Sequence, residues 1–263
     1  MKCLNNCVQD LEYTLNEFRM MTTTFIYILV FFLSLIQSLA GVGVLVLGTP
    51  ILLIMKINII DIMNILLPIS IITSFSCFVI IKFINNKLNL NYETLKYFLI
   101  ICVPSIFIGM QILKYFSDSA NFKYLVACII FISLFIKIKF KKINIDDKFF
   151  KKIITFFIGI VHGITNSGGA LLSIFFLNNK KKEIINNVLN VHWFYLLLAL
   201  IQFIILHLSY VTQISLKLNY IYLSFIIIIS SFFGTLLLKK FHNLGTRLVY
   251  ILAILSATTL IIF

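Results

Sequence analysis

Charge is scarce in this chain. Asp, Glu, Lys and Arg make up 12% of the 263 residues, against 61% apolar ones. A water-soluble domain of that length needs a charged surface, and so few charged residues exclude it. Acidic residues are scarcer still: 9 Asp and Glu stand against 22 Lys and Arg, a net charge of +13. The lysines sit singly or in short groups between apolar runs, so they read as loop residues at a membrane surface rather than as a nucleic-acid footprint. Cysteine is limited to Cys3, Cys7, Cys77, Cys102 and Cys128, an odd number with no C-x-x-C pair. Neither a disulfide framework nor a zinc site is indicated, and the last three read as small packing residues. No G-x-x-x-x-G-K-[ST] loop, H-E-x-x-H, G-x-S-x-G or intramembrane aspartate pair occurs, so ATP hydrolysis and familiar hydrolase chemistry are not expected, nor is a metal or cofactor.

What is there is long apolar runs. Residues 1–24 are polar, with Asp10, Glu12, Glu17 and Arg19, and lack the layout of a signal peptide. Met20 and Met21 directly precede the first run, so translation is expected to start there. Eight runs follow, at about 25–55, 59–83, 97–116, 122–138, 153–177, 184–208, 220–238 and 246–263. Each is long enough to span a bilayer. The expected fold is an all-α polytopic membrane protein of about eight transmembrane helices. Its parts are a polar segment (1–24), a first four-helix unit (25–138), a basic linker (139–152) and a second four-helix unit (153–263). The lysine distribution leans towards cytoplasmic termini.

The two units match at a shift of about 125 residues. Gly41-Val42-Gly43 falls on Ser167-Gly168-Gly169, Asp61 on Asn187, Asn64 on Asn190, Ser105 on Ser231, Gly109 on Gly234 and Lys114 on Lys239. In each unit the first run is interrupted, at Gly41–Pro50 and at His162–Ala170. An interrupted helix at membrane depth survives only where protein buries it or a polar cavity solvates it. Paired interruptions in repeated units are the best sequence pointer to a transporter's binding site.

The expected site is therefore Gly41, Gly43, Gly48 and Thr49 from the first break and His162, Thr165, Asn166, Ser167, Gly168 and Gly169 from the second. Asn64 and Asn190 join them from matching places in the second helices. Half-helix N-termini offer N–H groups and a partial positive charge, which suits a small anion. Glycines let the backbone approach a ligand, although they also permit close helix packing. His162, ionisable and beside the break, is a candidate proton carrier. His192 is a second; its neighbour Trp193 favours an interfacial aromatic belt there instead. Asn64 and Asn190 serve equally well as cavity lining or as interhelical hydrogen-bonding groups. Pro68 and Pro104 are expected to kink their helices.

Ala40-Gly41-Val42-Gly43 through Thr49-Pro50-Ile51-Leu52, and His162 through Leu172, resemble the two glycine-rich breaks of the TauE/SafE family of sulfite and organosulfonate exporters. The resemblance covers most of 25–263. It implies a duplicated four-helix unit and export of a small anion such as sulfite or a sulfonate. The expected function is a secondary transporter in a bacterial inner membrane, with a proton as its coupling ion. An anion channel or a membrane subunit of a larger complex is the alternative; an intramembrane enzyme is the third class.

Overall fold

The computed structural model describes residues 23–41, 43–84, 90, 92–116, 121–139, 148–169, 171–172, 184–209 and 219–262. The expected start at Met20 or Met21 and most of the basic linker lie outside them. Secondary structure among the described residues is helical: α1 (Thr23–Ala40), α2 (Val44–Ile54), α3 (Ile59–Ile84), α4 (Tyr92–Phe116), α5 (Phe122–Lys139), α6 (Lys148–Thr165), α7 (Ile184–Ser209) and α8 (Tyr220–Ile262). Residues 168–169 and 171–172 are also helical. Five segments are long and apolar enough to cross a bilayer: Thr23–Ala40, Ile59–Ile84, Phe98–Phe116, Ile185–Ser209 and Tyr220–Leu238. Val44–Ile54, Phe122–Ile136, Lys152–Thr165 and Val249–Ile262 are shorter apolar helices. The protein is a polytopic membrane protein, and helices dominate because each satisfies its own backbone in hydrocarbon. Asparagines set two helix starts. Asn58 Oδ1 accepts from the Ile60 N–H at 2.9 Å, and Asn219 Oδ1 accepts from Ile221 and Tyr222 at 3.1 and 3.2 Å.

The surface is apolar and the interior carries the hydroxyls. Phe107, Phe225, Phe232 and Phe233 are exposed, while Ser34, Gln37, Ser38, Thr73, Ser74 and Gln202 are fully buried. That distribution is the reverse of a soluble protein's and fits lipid as the surrounding solvent.

At the first break the chain reverses. Gly43 lies against the Gln37 backbone and the Leu33 carbonyl, so α2 folds back along α1. Farther along, Gly48 lies between Leu33 and Leu66, which places α2 between α1 and α3. Three side-chain pairs join α1 to α3: Ser34 Oγ to Thr73 Oγ1 at 3.2 Å, Gln37 Nε2 donating to Ser74 Oγ at 3.0 Å, and Cys77 Sγ donating to Ser38 Oγ at 3.1 Å. Their order means that α1 and α3 run parallel, with α2 antiparallel to both. The second break has the same sense: Gly168 packs on His162 and on the Ile158 carbonyl of α6.

The offset of 125 residues relates contacts as well as residue types. Across the α4–α6 seam, Gly109 faces the Ile160 carbonyl and the Cα of Gly163. Across the α1–α8 seam, Gly234 faces the Leu35 carbonyl and Ser38, each position shifted by 125. Small residues let these backbones touch. Each seam joins a helix from one half of the chain to a helix from the other.

Two expectations need correction. Runs seven and eight form a single helix, α8, of 43 residues. Between them lie Lys239 and Lys240 but no proline, and the lone Gly245 does not end the ladder of backbone hydrogen bonds. At 1.5 Å per residue this helix is about 65 Å long, roughly twice the hydrocarbon thickness. The first run, expected as one interrupted span, is instead a helical hairpin.

Candidate functional site

The two chain reversals are buried. Ala40, Gly41 and Gly43 at the first, and Thr165, Asn166, Ser167, Gly168 and Gly169 at the second, are shut off from solvent. Each tip needs one residue in the left-handed region: Gly41 at φ +81° and Asn166 at φ 61°. Glycine adopts that conformation without strain, and asparagine is among the few side chains that tolerate it.

Sequence reasoning overlooked Gln37, on α1. Its Oε1 accepts the Val44 N–H at 3.0 Å and its Nε2 reaches Ser74. Gln37 thus caps α2, whose own N-cap residue, Gly43, offers no side chain. A polar residue four positions before the first glycine was the available signal.

Tyr195 and Gln202, both on α7, were overlooked as well. Tyr195 is fully buried. Its hydroxyl faces the Leu45 backbone at the start of α2 but closes no hydrogen bond among the described residues. Its ring covers Gly169 so closely that a Cβ there would overlap it, and lies 6.2 Å from the His162 ring, centroid to centroid. One side chain therefore touches both breaks. Gln202 Nε2 donates to the His162 carbonyl at 3.1 Å and approaches the sulfurs of Met63 and Met110 at 3.6 and 3.7 Å. It occupies a carbonyl of the last turn of α6.

The residues expected from sequence divide by what their polar atoms do. Thr165 Oγ1 donates to the Val161 carbonyl at 2.9 Å and accepts the Ser167 N–H at 3.3 Å, while Ser167 Oγ donates to the Thr165 carbonyl at 3.2 Å. Those hydroxyls build the turn. Asn190 Nδ2 donates to the Asn186 carbonyl at 2.8 Å. By contrast, Asn166, His162, His192, Asn64 and Thr49 are buried with side-chain N or O atoms that find no partner among the described residues. Buried polar groups are normally paired, so a concentration of unpaired ones points to a place where a polar solute or water completes them.

The expected glycines are packing positions as well. Gly41 lies against Val191, Gly48 against Leu33 and Leu66, Gly43 against α1 and Gly168 against α6. The aromatic belt expected around His192 is not its setting: His192 is fully buried and faces the Ser38 backbone near the C-terminus of α1, while Trp193 stacks on Phe78 at 5.0 Å. His192 and Tyr195 stand one helical turn apart, so α7 reads both poles of the first reversal: carbonyls at the end of α1, N–H groups at the start of α2.

The profile of the family described as sulfite exporter TauE/SafE matches residues 26–260. No curated protein and no solved structure matches the chain.

Proposed function

The chain belongs to the TauE/SafE family of sulfite exporters, membrane transporters rather than enzymes, and from that premise we propose that it exports a small sulfur oxyanion, sulfite or a sulfonate, in exchange with or alongside a proton. The observation that carries this reading is the pair of buried chain reversals lined by unpartnered polar atoms. The start of α2 supplies N–H groups and positive potential, with no buried lysine or arginine among the described residues. Asn166, Asn64 and Thr49 add neutral donors. Neutral donors hold an anion weakly enough to release it, which a carrier requires. We assign the glycines at the two breaks and Asn190 to shaping this site. His162 and His192 are the proton candidates.

We further propose that residues 25–138 and 153–263 are duplicated units. The paired seams at an offset of 125 support it: each unit lends a helix to the other's hairpin. A site between two such units is where alternating access operates in repeat-built carriers.

The test is uptake into proteoliposomes, with radiolabelled sulfite, taurine and a carboxylate, with and without a pH gradient. Saturable sulfite or sulfonate uptake stimulated by the gradient supports a coupled carrier. Non-saturating flux down the anion's own gradient identifies a channel instead.

A further inference from the structure

Tyr195 has no place in the pattern that led to the two breaks, yet it is the side chain that both of them meet. Its ring seals Gly169 at the second, and its hydroxyl faces Leu45 at the first. We propose, resting on the anion-transport reading above, that Tyr195 is the residue that recognises the transported oxyanion, donating its hydroxyl proton to an anion oxygen beside the N-terminus of α2.

Two observations support the assignment. The hydroxyl is fully buried and without a partner among the described residues. A phenylalanine would fill the same space without that penalty, so the hydroxyl is left to a ligand. Its position is electrostatically right. The first N–H of α2, from Val44, is taken by Gln37, and the next backbone position, Leu45, faces Tyr195. An oxyanion seated there meets the positive end of the helix dipole and a phenol O–H together.

This arrangement also sets the substrate class. The ring over Gly169 leaves no room for a bulky group on that side, whereas the hydroxyl and N–H donors match oxygens on a compact centre. A small oxyanion fits better than an extended organic acid.

The chain holds a single tryptophan, Trp193, two residues from Tyr195 on α7. Its emission is a direct reporter for titration of the purified full-length protein with sulfite. The wild type is expected to show a saturable change. Tyr195→Phe keeps the ring on Gly169 and is expected to keep the melting temperature. Its sulfite affinity should fall about tenfold or more, as loss of a hydrogen bond to a charged group does, with a matching rise in the KM for uptake. Tyr195→Phe that binds sulfite as tightly as the wild type overturns the assignment and leaves the anion reading standing. A wild type that neither binds nor transports any sulfur oxyanion overturns the anion reading, and the role of Tyr195 with it.

Discussion

Gly109 on α4 and Gly163 on α6 meet backbone to backbone: a Cβ built on either would stand 3.0 Å from the Cα of the other. No flexible side chain is available there to move aside. The replacement of either glycine by alanine must therefore separate the helices. Gly48 has the opposite surroundings, since its neighbours are the Cδ atoms of Leu33 and Leu66. Gly109→Ala and Gly163→Ala are each expected to cost about 1–3 kcal/mol through overpacking, whereas Gly48→Ala costs less because the leucines rotate. Melting temperatures in one detergent rank the three. Gly48→Ala proving as damaging as the other two would contradict this picture of the seam.

Gly169 calls for a different experiment, because what it faces is Tyr195. An alanine there displaces the ring without touching either helix seam. Gly169→Ala is expected to leave a folded, monodisperse protein and to reduce sulfite uptake about tenfold or more, the loss expected when the Tyr195 hydroxyl no longer reaches its hydrogen bond to a charged ligand. Normal uptake in that variant would show that the ring's position does not matter.

At Asn166, conformation and chemistry separate cleanly. Its φ of 61° is open to glycine but strained for a β-branched residue. Asn166→Val is expected to destabilise the protein by about 1–3 kcal/mol. Asn166→Gly keeps the turn and removes only the unpartnered amide, so it should melt like the wild type while the KM for sulfite rises. If Asn166→Gly transports with an unaltered KM, the amide takes no part in binding.

Much of this architecture was legible in the sequence, for a simple reason. Hydrocarbon forces every crossing segment into an apolar helix, so the runs from Phe25 onward and their interruptions at Gly41–Gly43 and Asn166–Gly169 stand out from composition. The direction in which the chain leaves each break does not. Gly43 against Gln37 and Gly168 against His162 turn it back, and those contacts exist only once the helices pack. Pairing within repeats is equally hidden: the match of Gly109 with Gly234 says that two seams are alike, but not that each crosses to the other half. Tyr195 and Gln202 escaped because a single polar residue inside an apolar run carries no periodic signal. The joining of two runs into α8 escaped because a lysine pair resembles a loop when proline and glycine are not weighed.

The same geometry gives the two histidines different surroundings, and experiment can separate their roles. His192 faces the Ser38 backbone, beside the last carbonyls of α1. The His162 ring lies beside the Tyr195 ring, at the second break. Among the described residues, the other titratable groups nearby are Tyr195 and Cys77, the latter bonded to Ser38, and neither gains charge as pH falls. A proton on His192 would add positive charge one helical turn from the anion, so binding should tighten over the pH range in which that residue takes up a proton. The measurement needs a sulfonate as the ligand, because its charge stays fixed over that range whereas sulfite takes up a proton. His192→Gln is expected to flatten the pH dependence of sulfonate uptake. His162→Gln is expected to alter the KM and keep the slope. A flat profile in His162→Gln together with a normal one in His192→Gln would move the proton to the second break.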